Sequence, residues 1–106
     1  MARRSWEDVG VNRQEATHLA DEPLAELRAD SFESLERRIG DPEWRQIDGA
    51  DAVTYRAQVQ TFWDDKRGRR NLRVMVAVDD GSQRFIIRPI ARDFIVAPDG
   101  SFVGEE

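Results

Sequence analysis

From Ala50 onward the apolar residues of this chain recur at every second position, whereas before it they recur at every third or fourth. That change of period constrains the fold most. A period of two puts successive side chains on opposite faces of a strand, and a period near 3.6 gathers them on one side of a helix. In "AVTYRAQVQTFW", Val53, Tyr55, Ala57, Val59, Thr61 and Trp63 point one way, and Thr54, Arg56, Gln58, Gln60 and Phe62 the other. "NLRVMVAV" sets Leu72, Val74, Val76 and Val78 against Arg73, Met75 and Ala77, and "RFIIRPI" sets Phe85 and Ile87 against Ile86, Arg88 and Ile90. The stretches "DDKRGRR" and "DDGSQ" fit hairpin loops between them. A last pair, "DFIVA" and "SFV", is separated by the turn signal Pro98-Asp99-Gly100. Pro89 has no N–H for a ladder, so the third strand is expected to bend there or to lie at an edge.

Ahead of the strands, "DEPLAELRADSFESLERRIGDP" reads as a helix. Asp21 or Glu22 suits its cap, Pro23 its first turn, and Gly40 with Asp41-Pro42 its stop. Leu24, Leu27, Phe32, Leu35 and Ile39 fall near one stripe, which Asp30-Ser31 interrupts as a kink or a break. Residues 1–20 read as a loose arm or a short helix over "NRQEATHLA" that buries Ala16, Leu19 and Ala20.

The architecture that follows is α+β: one main amphipathic helix packed on one face of an antiparallel β-meander of three to five strands, with residues 21–106 as a single domain. Matching apolar to apolar sets Val78 near Phe85, Val76 near Ile87 and Trp63 near Leu72. It also collects Gln60, Met75 and Arg88 in one row of the uncovered face, and Phe62, Arg73 and Ile90 in the next.

A chain of 106 residues is one domain with room for a core. The absence of cysteine removes disulfides, thiolate metal sites and thiol nucleophiles together, and fits a reducing compartment. "MARRSWEDVG" has no apolar run behind its arginines, and no stretch of about 18 apolar residues occurs anywhere, so a cytoplasmic protein is expected. The net charge of -5 speaks against a protein that coats nucleic acid globally.

The aspartate pairs Asp64-Asp65 and Asp79-Asp80 invite a metal-binding reading, since hard cations want clustered carboxylates. The strand between them separates the pairs by roughly 25 Å, too far to share an ion. His18 is the single histidine and stands in no known catalytic signature, while Gly68 stands alone without a phosphate cradle. No enzyme activity, cofactor or metal is therefore expected.

Two surfaces remain. Lys66, Arg67, Arg69, Arg70 and Arg73 concentrate five positive charges at a hairpin tip, whereas residues 21–43 carry eight acids and three arginines. Lys66, Arg67, Arg69 and Arg70 are candidate anion ligands, and beside Phe62 and Trp63 they would suit weak binding of RNA or single-stranded DNA. The uncovered face bearing Gln58, Gln60, Phe62, Arg73, Met75, Arg88 and Ile90 mixes apolar, amide and guanidinium groups in the manner of a protein interface. A protein partner, which includes a second copy of the chain, is the leading expectation.

The C-terminal run "DFIVAPDGSFVGEE", with "VMVAVDDG" upstream, resembles a group of short bacterial proteins that form an uncharacterised domain family. The likeness covers about the last half of the chain, with "APDGSFVGE" its most distinctive piece. It implies a self-contained bacterial domain and no particular activity.

Overall fold

The computed structural model describes residues 6–49, 53–79 and 90–105, with side chains from residue 14 onward. Two helices, α1 (Trp6–Arg28) and α2 (Phe32–Glu36), precede four strands, β1 (Glu43–Asp48), β2 (Thr54–Trp63), β3 (Leu72–Asp79) and β4 (Ile90–Val96). The strands form one antiparallel sheet in the order β1-β2-β3-β4. Helix α1 packs on β3 and β4, and α2 on β2 and β3, which makes the fold α+β with its helices against one sheet face.

The helix expected to start at Asp21 or Glu22 starts at Trp6, so the boundary placed at residue 20 falls inside α1. Pro23 is a residue of the helix interior and is buried. Tertiary packing outweighs the proline: Ala16, Ala20, Leu24 and Leu27, spaced four, four and three apart, are all buried in the core. Small alanines at two of these positions let the helix lie close to the sheet. The interruption at Asp30-Ser31 is a true break. Ser31 caps α2 by accepting the Ser34 N–H at 3.1 Å, and Asp30 accepts the Ser34 hydroxyl at 2.9 Å.

In the core, Leu27 and Leu35 meet Tyr55, Ala57, Val59, Leu72, Val74, Val76, Val78, Phe94 and Val96, with Phe32 and Trp63 partly buried against them. These strand residues are the apolar members of the period-two pattern. Tyr55 is fully buried yet keeps its hydroxyl satisfied by donating to Glu15 at 3.0 Å. Gly49, at the end of β1, is required here because a Cβ would lie 2.5 Å from the Tyr55 ring.

Three strand expectations need correction. Residues 43–48, read only as following the helix stop, form β1 and pair along β2 from Glu43↔Val59 to Asp48↔Thr54. Position Val78 faces Ile90 and Val76 faces Arg92, not Phe85 and Ile87. The other neighbour of each lies on β2, so both flanks of β3 are filled by β2 and β4. In this register Phe94 lies opposite Val74 and Val96 opposite Leu72, all of them buried. Finally, "DFIVA" is a strand as expected, lying in β4 up to Val96, but "SFV" contributes only a single bridge to it, Val96↔Phe102. The strand and bend read over "RFIIRPI" up to Pro89 lie outside the described residues, as does Arg88. The expected contact of Trp63 with Leu72 is present.

The ladder also has a definite phase. Gly49 N–H donates to Val53 O at 2.8 Å, in line with the β1–β2 register, so the odd residues of β1 turn their backbone groups toward β2. In an antiparallel ladder the alternate residues then face away. The backbone groups of Trp44, Gln46 and Asp48 therefore point out of the sheet edge. Asp64 N–H donating to Asn71 O at 2.8 Å fixes the β2–β3 pair in the matching alternation.

Candidate functional site

The sheet face that no described helix covers is built by the residues that alternate with the core. Its rows run Trp44–Gln58–Ala77–Ala91, then Gln60–Met75–Asp93, then Phe62–Arg73–Ile95. Gln58, Gln60, Phe62, Met75 and Ile95 are half-buried, and Trp44 is 56% exposed. The sequence-derived rows are thus right across β2 and β3 and wrong at β4. Asp93 stands in the row given to Arg88, and Ile95 in the row given to Ile90. Ile90 itself lies opposite Val78, on the helix side, and packs against the core.

Arg73 is opposite Phe62 as expected, but its guanidinium is held between carboxylates. It donates through Nε to Asp64 at 3.0 Å and through Nη1 to Asp93, which locks the face at the hairpin end. Trp44 is the residue that sequence reasoning missed. The signal was the alternation in "EWRQID", too short and too charged to stand out beside the stronger strands. Its indole lies against the Arg56 guanidinium, 5.6 Å from carbon to ring centroid, a cation–π contact that fixes it at the face's rim. Arg56 in turn pairs with Asp79 at 3.1 Å.

The basic tip is ordered by one aspartate. The Asp65 carboxylate accepts the N–H groups of Arg70 at 3.1 Å and Asn71 at 3.3 Å, and its carbonyl accepts Arg69 N–H at 2.9 Å. Donation from Arg70 and then Asn71 holds the Asp65 carboxyl below its ordinary pKa. Arg69 adopts a left-handed φ of 49° to close the loop. Lys66, Arg67, Arg69 and Arg70 are all exposed, and none forms an ion pair among the described residues. In contrast, Arg28, Arg38, Arg45, Arg56, Arg73 and Arg92 each pair with a carboxylate. Arg73 therefore leaves the tip's charge cluster and belongs to the sheet face.

Away from these surfaces, His18 is exposed in a shallow depression with Gln14, Thr17, Asp21 and Ile90, and Asp21 is 3.4 Å from Arg92. Among the described residues no group of acidic or histidine side chains is placed to hold a metal ion, and no helix is long and apolar enough to cross a membrane. Compared with protein families, with curated proteins and with solved structures, the chain gives no match.

The "APDGSFVGE" segment has a clear structural role. Asp99 accepts the Ser101 hydroxyl at 2.6 Å and its N–H at 2.9 Å, Gly100 turns the chain at φ 89°, and Phe102 folds back edge-on to Phe94 at 5.6 Å. Arg28 then covers the Phe102 ring at 4.0 Å and donates to both carboxylate oxygens of Glu105, at 2.9 and 2.6 Å.

Proposed function

We propose that the protein is a non-enzymatic protein-interaction domain that works through its uncovered sheet face, without a cofactor. One observation carries this reading: the helices cover one face only, while the other presents half-buried Phe62, Met75 and Ile95 with exposed Trp44 at the rim. Aromatics, methionine and arginine are the residues enriched where proteins meet. Ordering of Arg73 by Asp64 and Asp93, and of Trp44 by Arg56, reduces the side-chain entropy lost on docking. Met75→Glu tests the reading, because a charge at the centre of the face abolishes capture of a partner on that face. Urea unfolding of that variant stays cooperative if the face is an interface, and loses cooperativity if the face is an internal core.

A second reading, weak binding of RNA or single-stranded DNA, is favoured by the tip, where Lys66, Arg67, Arg69 and Arg70 form no ion pair among the described residues, whereas Arg28, Arg38, Arg45, Arg56, Arg73 and Arg92 each do. Fluorescence anisotropy with a labelled single-stranded RNA would then show log affinity falling linearly with log salt, by about 0.7 per phosphate contacted. Changing Arg67, Arg69 and Arg70 to serine removes the binding with the melting temperature nearly unchanged. A salt-independent affinity, or binding that survives the triple change, rejects this reading.

A further inference from the structure

We infer that two copies of this chain pair through the outer edge of β1, antiparallel, about a twofold axis that passes beside Trp44. This goes beyond the reading above: it adds a second copy at the rim of the open face, in a contact that does not use Met75.

The starting point is the ladder phase. The outward backbone groups of β1 belong to Trp44, Gln46 and Asp48, residues that are exposed and that no described strand pairs with on that side. An unpaired edge is a template for another strand. Antiparallel pairing about a twofold axis normal to the sheet sets residues of the same face opposite one another, so helix-side residues of one copy meet helix-side residues of the other. Three registers then deserve comparison. With Arg45 at the axis, two guanidinium groups face each other. With Gln46 at the axis, Arg45 faces Ile47 of the second copy and Glu43 faces Gly49. With Trp44 at the axis, Glu43 faces Arg45 of the second copy on both sides, and the two Trp44 indoles meet on the open face.

Charge complementarity selects the third. Charged residues pointing inward on an edge strand ordinarily keep foreign strands away. Here Glu43 and Arg45 are neighbours within the copy, 3.0 Å apart, and alternate in sign along the strand. A copy of the same strand in the Trp44 register matches that alternation, and a strand in the Arg45 register opposes it, so the charges choose the partner as well as repel others. Pro42 offers no N–H to the second copy, but its carbonyl accepts from Gln46. The outcome is one continuous sheet with both helical layers on one side and both open faces on the other. A single strand pair is a small interface, so the self-association is weak and exchanging.

The chain has no cysteine, which makes a cysteine scan direct. Trp44→Cys forms a disulfide-linked dimer under mild oxidation, while Gln46→Cys and Met75→Cys remain monomeric. Sedimentation of the unmodified protein up to about 500 μM shows a mass rising toward the dimer. Glu43→Arg removes that rise, and the double change Glu43→Arg with Arg45→Glu restores it. Amide hydrogen exchange gives a check on the intact chain, with Trp44 and Gln46 slowed in concentrated relative to dilute protein. A mass that stays monomeric, unchanged exchange at Trp44 and Gln46, or failure of the double change to rescue overturns the inference. Cross-linking through Gln46 overturns the register. Cross-linking through Met75 with none at Trp44 also overturns it, yet leaves the open face as the working surface.

Discussion

The two edges of the sheet end by different means. At β4 the C-terminal end of the edge is closed within the chain: Val103 N–H donates to the outward carbonyl of Ile95 at 2.9 Å, and Phe102 and Glu105 tie the returning segment to Phe94 and Arg28. At β1 none of the described residues adds a strand, and the edge carries instead Trp44 and an alternation of acid and base held by Glu26 and Arg38. Backbone closure makes an edge unavailable, whereas charge only makes it selective. On the reading proposed above, the working side of the molecule is at β1 and its structural side at β4.

Phe102→Ala should break this comparison most. Truncating a fully buried Phe costs about 3–5 kcal/mol, and Phe102 is only partly buried, so about 2 kcal/mol is expected. The same change frees Ile95 and Val96, and amide exchange at Val103 should rise with the fall in urea midpoint. A loss below about 0.5 kcal/mol, the range of plain surface changes, would mean that the C-terminal turn decorates the edge without closing it.

A smaller effect comes from pH. Hydrogen bonding from Arg28 holds the Glu105 carboxyl below its ordinary pKa, and the Ser101 hydroxyl and N–H do the same for Asp99. A carboxylate with a folded pKa below its unfolded value stabilises the fold above about pH 4 and gives up that contribution as pH falls through the folded value. The β4 edge should therefore loosen on acidification before the core does. Carboxyl chemical shifts of Glu105 followed by NMR check this, with Arg28→Ala returning the titration to that of a free glutamate. An unshifted Glu105 in the unaltered protein would remove the ion pair from the closure.

Why the sequence showed one edge and hid the other follows from the same contrast. The β4 side was legible because its devices are local: Pro98-Asp99-Gly100 is a turn by its own chemistry, and Phe94 and Val96 alternate as a strand should. The core of β2 and β3 was legible for the same reason, and with it Gln60 opposite Met75 and Phe62 opposite Arg73. β1 was hidden because its helix-side positions are Glu43, Arg45 and Ile47, so its pattern has little apolar signal, and what makes it a strand is non-local pairing to β2. The start of α1 was hidden because Pro23 imitates a first-turn residue, although the helical burial of Ala16, Leu19 and Ala20 was already legible in "NRQEATHLA". Ile90 was assigned to the wrong face through a register matched on Phe85 and Ile87. A shift that changes parity by one residue exchanges every side chain between faces.

The smallest expected effect sharpens the comparison from the other side. Trp44→Thr keeps a residue that suits a strand but removes the exposed indole and its contact with Arg56. If β1 is held by its ladder to β2, by Tyr55 seated beside Gly49 and by the Arg45–Glu26 pair, then Trp44 contributes little to the isolated monomer. In dilute protein the urea midpoint should move by an amount equivalent to no more than about 0.5 kcal/mol, the usual range for a surface substitution. In concentrated protein the unaltered chain should gain stability by mass action while Trp44→Thr does not, so the gap between the two widens with concentration. A gap that is already large at low concentration would show that Trp44 is part of the fold, and that the β1 edge is held as firmly from within as the β4 edge. A gap that stays small at every concentration would leave the monomer argument intact and deny Trp44 a role between copies.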